Sequence, residues 1–179
     1  MTWLLYILVV IFTVSIIFLA VQFFNILFRG QAPFISTKKR ILLQISKGIK
    51  IKPNEVFYEL GAGRACLLGL MSKEQPQAQF VALEYAILPY LLACLRYAFS
   101  KSDIRIKRQN MFLANLNNAN YIYCYLNREM MIKLEKKFTN ECKPDTVIIS
   151  YQFVMPHFRP YKIITASKSE KIYFYRLER

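Results

Sequence analysis

Val56-Phe57-Tyr58-Glu59-Leu60-Gly61-Ala62-Gly63-Arg64-Ala65 decides how this chain is read. Its first half is apolar and rich in β-branched and aromatic side chains, as in a strand buried on both faces. An acidic residue, Glu59, ends the strand. A glycine-rich turn follows, and residues 65–74 have the pattern of a helix. A strand–turn–helix of this kind lets a ligand approach the backbone and meet the helix N-terminus. The dinucleotide fingerprint requires a third glycine where this chain has Cys66, which disfavours NAD and FAD. No G-x-x-x-x-G-K-[ST] stretch occurs, which excludes a P-loop.

Outward from this stretch the chain alternates. Strand-like apolar runs begin near Val56, Phe80, Ile104, Tyr121 and Thr146. Helical spacing appears over 65–74, over 87–99 (Ile87, Leu88, Leu91, Leu92, Leu95, Phe99) and over 129–139 (Met130, Met131, Leu134, Phe138). The βαβ alternation predicts an α/β fold with a parallel sheet and right-handed crossovers. Tyr161–Ala166 and Lys171–Leu177 read as two strands joined by the short polar Ser167-Lys168-Ser169-Glu170. The sheet is therefore expected to hold seven strands and to end in an antiparallel hairpin. Upstream, 37–49 reads as an amphipathic helix with Ser36 or Thr37 as its cap.

The N-terminal part differs. Every charged residue of the 179 lies after Phe28, and Trp3 to Phe28 is apolar except for Thr13, Ser15, Gln22 and Asn25. About 20 apolar residues span a bilayer as a helix. No basic residue precedes the run, and its end is bulky, unlike a cleaved signal peptide. Residues 1–28 are thus expected to be a transmembrane anchor, 29–52 a basic juxtamembrane segment with the leading helix, and 53–179 the functional domain. Residues 29–52 carry seven basic residues and no acidic one. The positive-inside rule puts this side in the cytoplasm or an equivalent compartment such as a matrix. The same cluster, with a net charge of +14, suits an anionic lipid surface. For a tethered domain that is a simpler partner than nucleic acid. Cys66, Cys94, Cys124 and Cys142 form no C-x-x-C pair, and His157 is the sole histidine, so no metal site is expected. Reduced, mostly buried thiols are expected instead.

Two acids sharpen the ligand. Glu59, beside the turn, would repel a pyrophosphate but suits a ligand with an ammonium group. Glu84 ends the second strand, 21 residues after Gly63; a ribose-binding acid sits about 20 residues on in Rossmann-type sites. Together these fit S-adenosylmethionine. The run Val56 to Gly63 resembles the first motif of class I (seven-stranded, Rossmann-like) S-adenosylmethionine-dependent methyltransferases. Tyr121 to Leu126, Met130-Met131, Leu134 and Phe153…Pro156-His157-Phe158-Arg159-Pro160 resemble a small membrane-anchored branch of that family. The branch includes bacterial and archaeal proteins and the mitochondrial lysine methyltransferases of ATP synthase subunit c and of the adenine nucleotide translocator. The resemblance covers residues 36–165 and implies cofactor contacts by Glu59, Gly61, Ala62, Gly63, Glu84, Tyr85, Asn110, Met111 and Phe112. Three departures stand out: Ala65 replaces a third glycine, Asn110 an aspartate, and Pro144-Asp145 a Pro-Gly.

Ligands bind outside the carboxyl ends of the strands in such sheets. That nominates Tyr125 and Asn127, after the fourth strand, as acceptor-site residues; Asn127 reads equally as a helix cap. Tyr151 and His157 follow as rim residues, with His157 a base or a packing residue. With no inserted lid domain, the expected function is lysine N-methylation of a membrane-associated protein. The alternatives are a lipid- or quinone-like acceptor and a non-catalytic tethered module with a degenerate site.

Overall fold

The computed structural model describes residues 2–29, 36–100 and 102–178. The chain divides into two units, Met1–Phe34 and Ile35–Arg179. The first contains α1 (Thr2–Arg29), within which Trp3–Val21 is long and apolar enough to cross a membrane, with a mean hydropathy of 3.0. Its two hydroxyl residues are satisfied within the helix. Thr13 Oγ1 donates to the Val9 carbonyl and Ser15 Oγ to the Ile11 carbonyl, each at 2.8 Å. Such back-bonding removes the cost of a polar group in hydrocarbon.

The second unit runs α2 (Lys39–Lys47), β1 (Val56–Leu60), α3 (Cys66–Glu74), β2 (Gln79–Glu84), α4 (Ile87–Tyr97), β3 (Ile104–Arg108), β4 (Tyr121–Cys124), α5 (Arg128–Glu141), β5 (Val147–Tyr151), β6 (Lys162–Thr165) and β7 (Lys171–Arg176). Seven strands form one sheet in the order β3-β2-β1-β4-β5-β7-β6. The first five are parallel, and β7 pairs antiparallel with both β5 and β6. The alternation and the terminal hairpin read from the sequence are both present.

Side-chain alternation divides the sheet. Phe57, Phe80, Tyr123, Ile149 and Phe174 face α2 and α3, and Ile41, Ile45, Leu67, Leu68 and Met71 are fully buried among them. Phe57 stacks on Tyr121 with centroids 6.0 Å apart. On the other face, Cys124 and Ser150 approach the Met131 sulfur of α5 at 3.6 and 3.8 Å. Leu134 and Phe138 are buried on the same helix.

Two expectations change, for the start of the leading helix and for the thiols, and the fold places two elements whose faces spacing left open. The leading helix begins at Lys39 rather than 37, and neither Ser36 nor Thr37 caps it; Lys38 is the N-cap and makes no side-chain cap bond. The Thr37 hydroxyl is instead 3.0 Å from the Tyr123 hydroxyl. β3 is the sheet edge, and Arg105, Lys107 and Arg108 are exposed there. The stripe that gives α4 its helical spacing faces solvent, while Pro89 and Ala93 face inward. Of the four free thiols, Cys124 and Cys142 are buried and pushed up to about 12, in both cases chiefly by burial; Cys66 and Cys94 are half-buried.

Candidate functional site

The strand order reverses between β1 and β4, which opens a crevice at the carboxyl ends of the strands. Register sets its contents. Leu60 pairs with Leu83 on one side and Cys124 on the other, and Cys124 pairs with Ser150. The next residues, Glu84, Gly61, Tyr125 and Tyr151, therefore follow one another across four neighbouring strands at the same level.

The turn after β1 is held to β2 by its own backbone. The Gly61 and Ala62 N–H groups both donate to the Leu83 carbonyl, at 2.9 and 3.0 Å. Gly61 has φ +66°, and a Cβ there would lie 3.0 Å from Leu126 Cδ2, with Met111 Cε 3.9 Å away. A side chain would be strained by the backbone and would fill the space over the turn. Gly63 is also left-handed, and its N–H donates to Glu84 Oε2 at 2.8 Å. Glu84 Oε1 accepts the Ala86 N–H at 2.8 Å. One buried carboxylate thus fixes the glycine turn against the entrance to α4, and each oxygen keeps capacity for a further donor. Ala65, which enters α3, has φ +49°, a left-handed conformation that glycine adopts without strain. The Tyr97 hydroxyl braces it by donating to the Ala65 carbonyl at 2.8 Å.

Glu59 lies beneath this turn, 6% exposed. Its nearest donor is the Leu68 N–H of α3, at a long 3.4 Å. Burial pushes its carboxyl up to about 8; the Leu68 bond opposes the shift, and the Glu84 charge adds to it. A buried carboxyl so weakly paired has room for a cationic partner. Two acids flanking a glycine turn suit the ribose hydroxyls and ammonium group of S-adenosylmethionine and fit a pyrophosphate poorly.

The other nominated cofactor residues are more scattered. Tyr85 follows Glu84 and is exposed. Asn110 forms a turn, its Oδ1 accepting the Phe112 N–H at 3.0 Å, a bond an aspartate would also make; Phe112 is half-buried. Met111 alone of this trio is seen against the glycine turn.

On the β4–β5 side, Tyr125 sits 4.6 Å from Tyr151 and 6.4 Å from Phe153 between ring centroids. Its hydroxyl donates to Gln152 Oε1 at 3.2 Å, and burial raises its pKa. Gln152 has φ +69°, a conformation that costs a non-glycine residue about 1 kcal/mol or more and that clusters at functional sites. Its N–H is held by the Lys171 carbonyl at 2.8 Å. Behind it, the Tyr151 hydroxyl donates to the buried Glu170 at 2.9 Å. Glu170 also receives Lys38 Nζ at 2.9 Å, Ser167 Oγ at 3.0 Å and the Arg40 guanidinium.

Asn127 is the N-cap of α5, its Oδ1 accepting the Met130 N–H at 2.9 Å. His157 is tied to that helix rather than to Tyr125. Glu135 on α5 accepts the His157 backbone N–H at 2.7 Å and meets Nδ1 at 2.9 Å, and the ring is largely exposed. Gln152 and Glu170 were not legible as site residues: a glutamine after a strand and a glutamate in a polar turn carry no local pattern. Among the described residues, no group of three His, Cys, Asp or Glu is arranged to hold a metal ion.

Known proteins share this fold. A family model described as the ANTKMT methyltransferase domain matches residues 59–162. A protein-lysine N-methyltransferase from Saccharolobus islandicus (strain REY15A) is 20% identical over 136 residues, covering 75% of this chain and 84% of that protein. An RNA methyltransferase from Salinibacter ruber, solved in complex with S-adenosyl-L-homocysteine, superimposes with a TM-score of 0.73 at 18% identity, over 79% of this chain and 93% of that one. Ribosomal protein L11 methylase from Lactobacillus delbrueckii subsp. bulgaricus gives 0.61 at 13% identity, over 78% of each chain. At these identities the structural likeness concerns the fold.

Proposed function

Because the chain belongs to the family of the ANTKMT methyltransferase domain and is an S-adenosylmethionine-dependent methyltransferase, we propose that it methylates the side-chain amine of a lysine on a membrane-associated protein. The observation that carries this reading is the aromatic wall of the half-buried Tyr125 and Phe153, backed by the buried Tyr151 and joined by the Gln152 carboxamide, with Tyr125 level with the glycine turn.

When bound, S-adenosylmethionine supplies a methyl carbon activated by a sulfonium. Glu84 would hold the ribose hydroxyls, Gly61 and Gly63 would let the chain pass close, and Glu59 would take the ammonium end. The acceptor must arrive as a free amine. Desolvation against the aromatic wall lowers the pKa of a lysine and favours loss of its proton to solvent. Taking the methyl group from the sulfonium would develop positive charge on the lysine nitrogen. The half-buried Tyr125 ring and the Gln152 oxygen would stabilise that charge, with the buried Tyr151 ring packed behind Tyr125. Alignment and proximity supply the rest of the acceleration.

Two features support a membrane-associated acceptor. Trp3–Val21 has the length and hydropathy of a span, and only residues 30–35 separate α1 from the described start of the second unit. The basic residues 29–52 orient the domain to the cytoplasmic or matrix-equivalent side. Tethering raises the effective concentration of acceptors in the same bilayer.

The test incubates the full chain with methyl-labelled S-adenosylmethionine and membrane fractions. Label is expected in protein, as methyl-lysine on hydrolysis. Tyr125→Ala is expected to lower transfer about tenfold, equivalent to about 1.4 kcal/mol, with cofactor affinity unchanged. Label confined to the organic extract would overturn the lysine assignment in favour of a lipid-like acceptor.

A further inference from the structure

α4 is an apolar helix whose outer side is exposed among the described residues. Ile87, Leu91 and Leu95 lie on the side opposite the inward-facing Pro89 and Ala93, flanked by Leu88, Leu92 and, just past the helix, Phe99. All six are exposed, Leu95 by 71% and Phe99 by 99%. Contiguous apolar patches of this kind are rare on soluble proteins and mark interaction surfaces.

Charge selects the occupant. α4 contains no acidic residue, and residues 85–108 hold five basic residues against the single Asp103. Arg96 is exposed in the last turn of the helix, and Arg108, exposed at the end of β3, acts electrostatically on Tyr90 of the same helix. A second copy would bring like charges together on a chain that already carries +14. An anionic bilayer surface complements them. Helices that lie in the bilayer interface combine Leu and Phe on one side with basic residues at the polar margin, and tyrosines favour the headgroup level, where Tyr85 and Tyr90 would lie.

We propose that α4 docks into the headgroup–acyl boundary of an anionic membrane through Ile87, Leu88, Leu91, Leu92, Leu95 and Phe99. Docking there fixes the orientation of the sheet, because α4 begins three residues after Glu84 and so ties the cofactor end to the lipid surface. The inference extends the reading of Trp3–Val21 as a membrane span, and the two are separable by experiment.

Trp3 is the sole tryptophan, so it reports on α1 in the wild-type chain. In a Trp3→Phe background, Leu91→Trp and Leu95→Trp report on α4 at two solvent-facing positions, and Lys136→Trp reports on the exposed side of α5. The full chain is reconstituted into vesicles of phosphatidylcholine, with and without phosphatidylglycerol, carrying dibrominated acyl chains. Emission from positions 91 and 95 is expected to fall at least about twofold relative to position 136, more strongly with phosphatidylglycerol and less in high salt. Two α4 positions are used so that a folding defect in one variant, seen in its thermal transition, does not decide the outcome. If Trp3 is quenched while positions 91 and 95 emit like position 136, docking is overturned and the span stands. If Trp3 is not quenched, the span fails. In that case, quenching at 91 and 95 in phosphatidylglycerol vesicles sustains docking alone, and its absence overturns both.

Discussion

Glu59 concentrates the physical tension of the site in one side chain. Its carboxyl has few donors and stands near the charge of Glu84, so the folded chain holds its proton up to about pH 8. The unfolded carboxyl would release it near pH 4.5. The folded state therefore binds more protons between these values, and this group's contribution to stability falls as pH rises through that window. Glu59→Gln is expected to be more stable than the wild type at pH 8 by more than about 1 kcal/mol in thermal denaturation, with little difference at pH 4. The cofactor ammonium reverses the preference, because a cation beside the carboxyl favours its ionised form. In calorimetry, affinity for S-adenosylmethionine is expected to rise between pH 6 and 8 and then level off. The Glu59→Gln variant is expected to bind more weakly and with a flat profile. A wild-type profile that is equally flat would remove Glu59 from ammonium recognition. Ala65 shows a second residue-scale compromise, an alanine held in a left-handed conformation with its side chain fully buried. Glycine there would relieve strain and lose a buried methyl, two effects of similar size and opposite sign.

Among the elements, α5 and the segment after β5 form a clamp. Glu135 is buried on α5 and receives both the backbone N–H and the ring Nδ1 of His157. The backbone bond survives any side chain at 157, whereas removing the carboxylate leaves a donor without its partner. His157→Ala is therefore expected to lower stability by less than about 1 kcal/mol and to leave methyl transfer within about threefold, while Glu135→Ala costs about 1–3 kcal/mol. Denaturant unfolding and initial rates check the pair. A large loss of transfer in His157→Ala, with stability and cofactor affinity intact, would restore the histidine as a base. α2 belongs to the same scale. Its apolar stripe was visible as spacing, but its start is set by Thr37, which reaches Tyr123 instead of capping the helix.

For the whole molecule, Glu170 joins what the chain separates most widely. It lies in the turn of the terminal hairpin, yet accepts from Lys38 and Arg40 at the start of the domain and from Tyr151 at the end of β5. Lys38 and Arg40 are exposed, so their ion pairs contribute little. Most of the stabilisation resides in the buried Tyr151 hydroxyl. Glu170→Ala is expected to cost about 1–3 kcal/mol, and adding Tyr151→Phe to cost little more, because the hydroxyl has by then lost its main acceptor. Additive losses in this double-mutant cycle would show that the cluster works through its exposed ion pairs instead.

The strand–turn–helix around Glu59 and Gly61, the second acid at Glu84, the alternating α/β order with its closing hairpin and the apolar helix at the N-terminus were all legible in the residues. Each is written in local periodicity, in a glycine that the backbone requires, or in a spacing of about 20 residues within one βαβ unit. The rest came from how the elements pack. Packing set Tyr125 against Tyr151, placed Gln152 at positive φ, gave His157 to Glu135 and turned the α4 stripe outward. Helical spacing reveals that a face is apolar but not what covers it. Strands buried on both sides show no alternation by which to tell one face from the other. Contacts between residues far apart in the chain arise only when the sheet order and register bring them level.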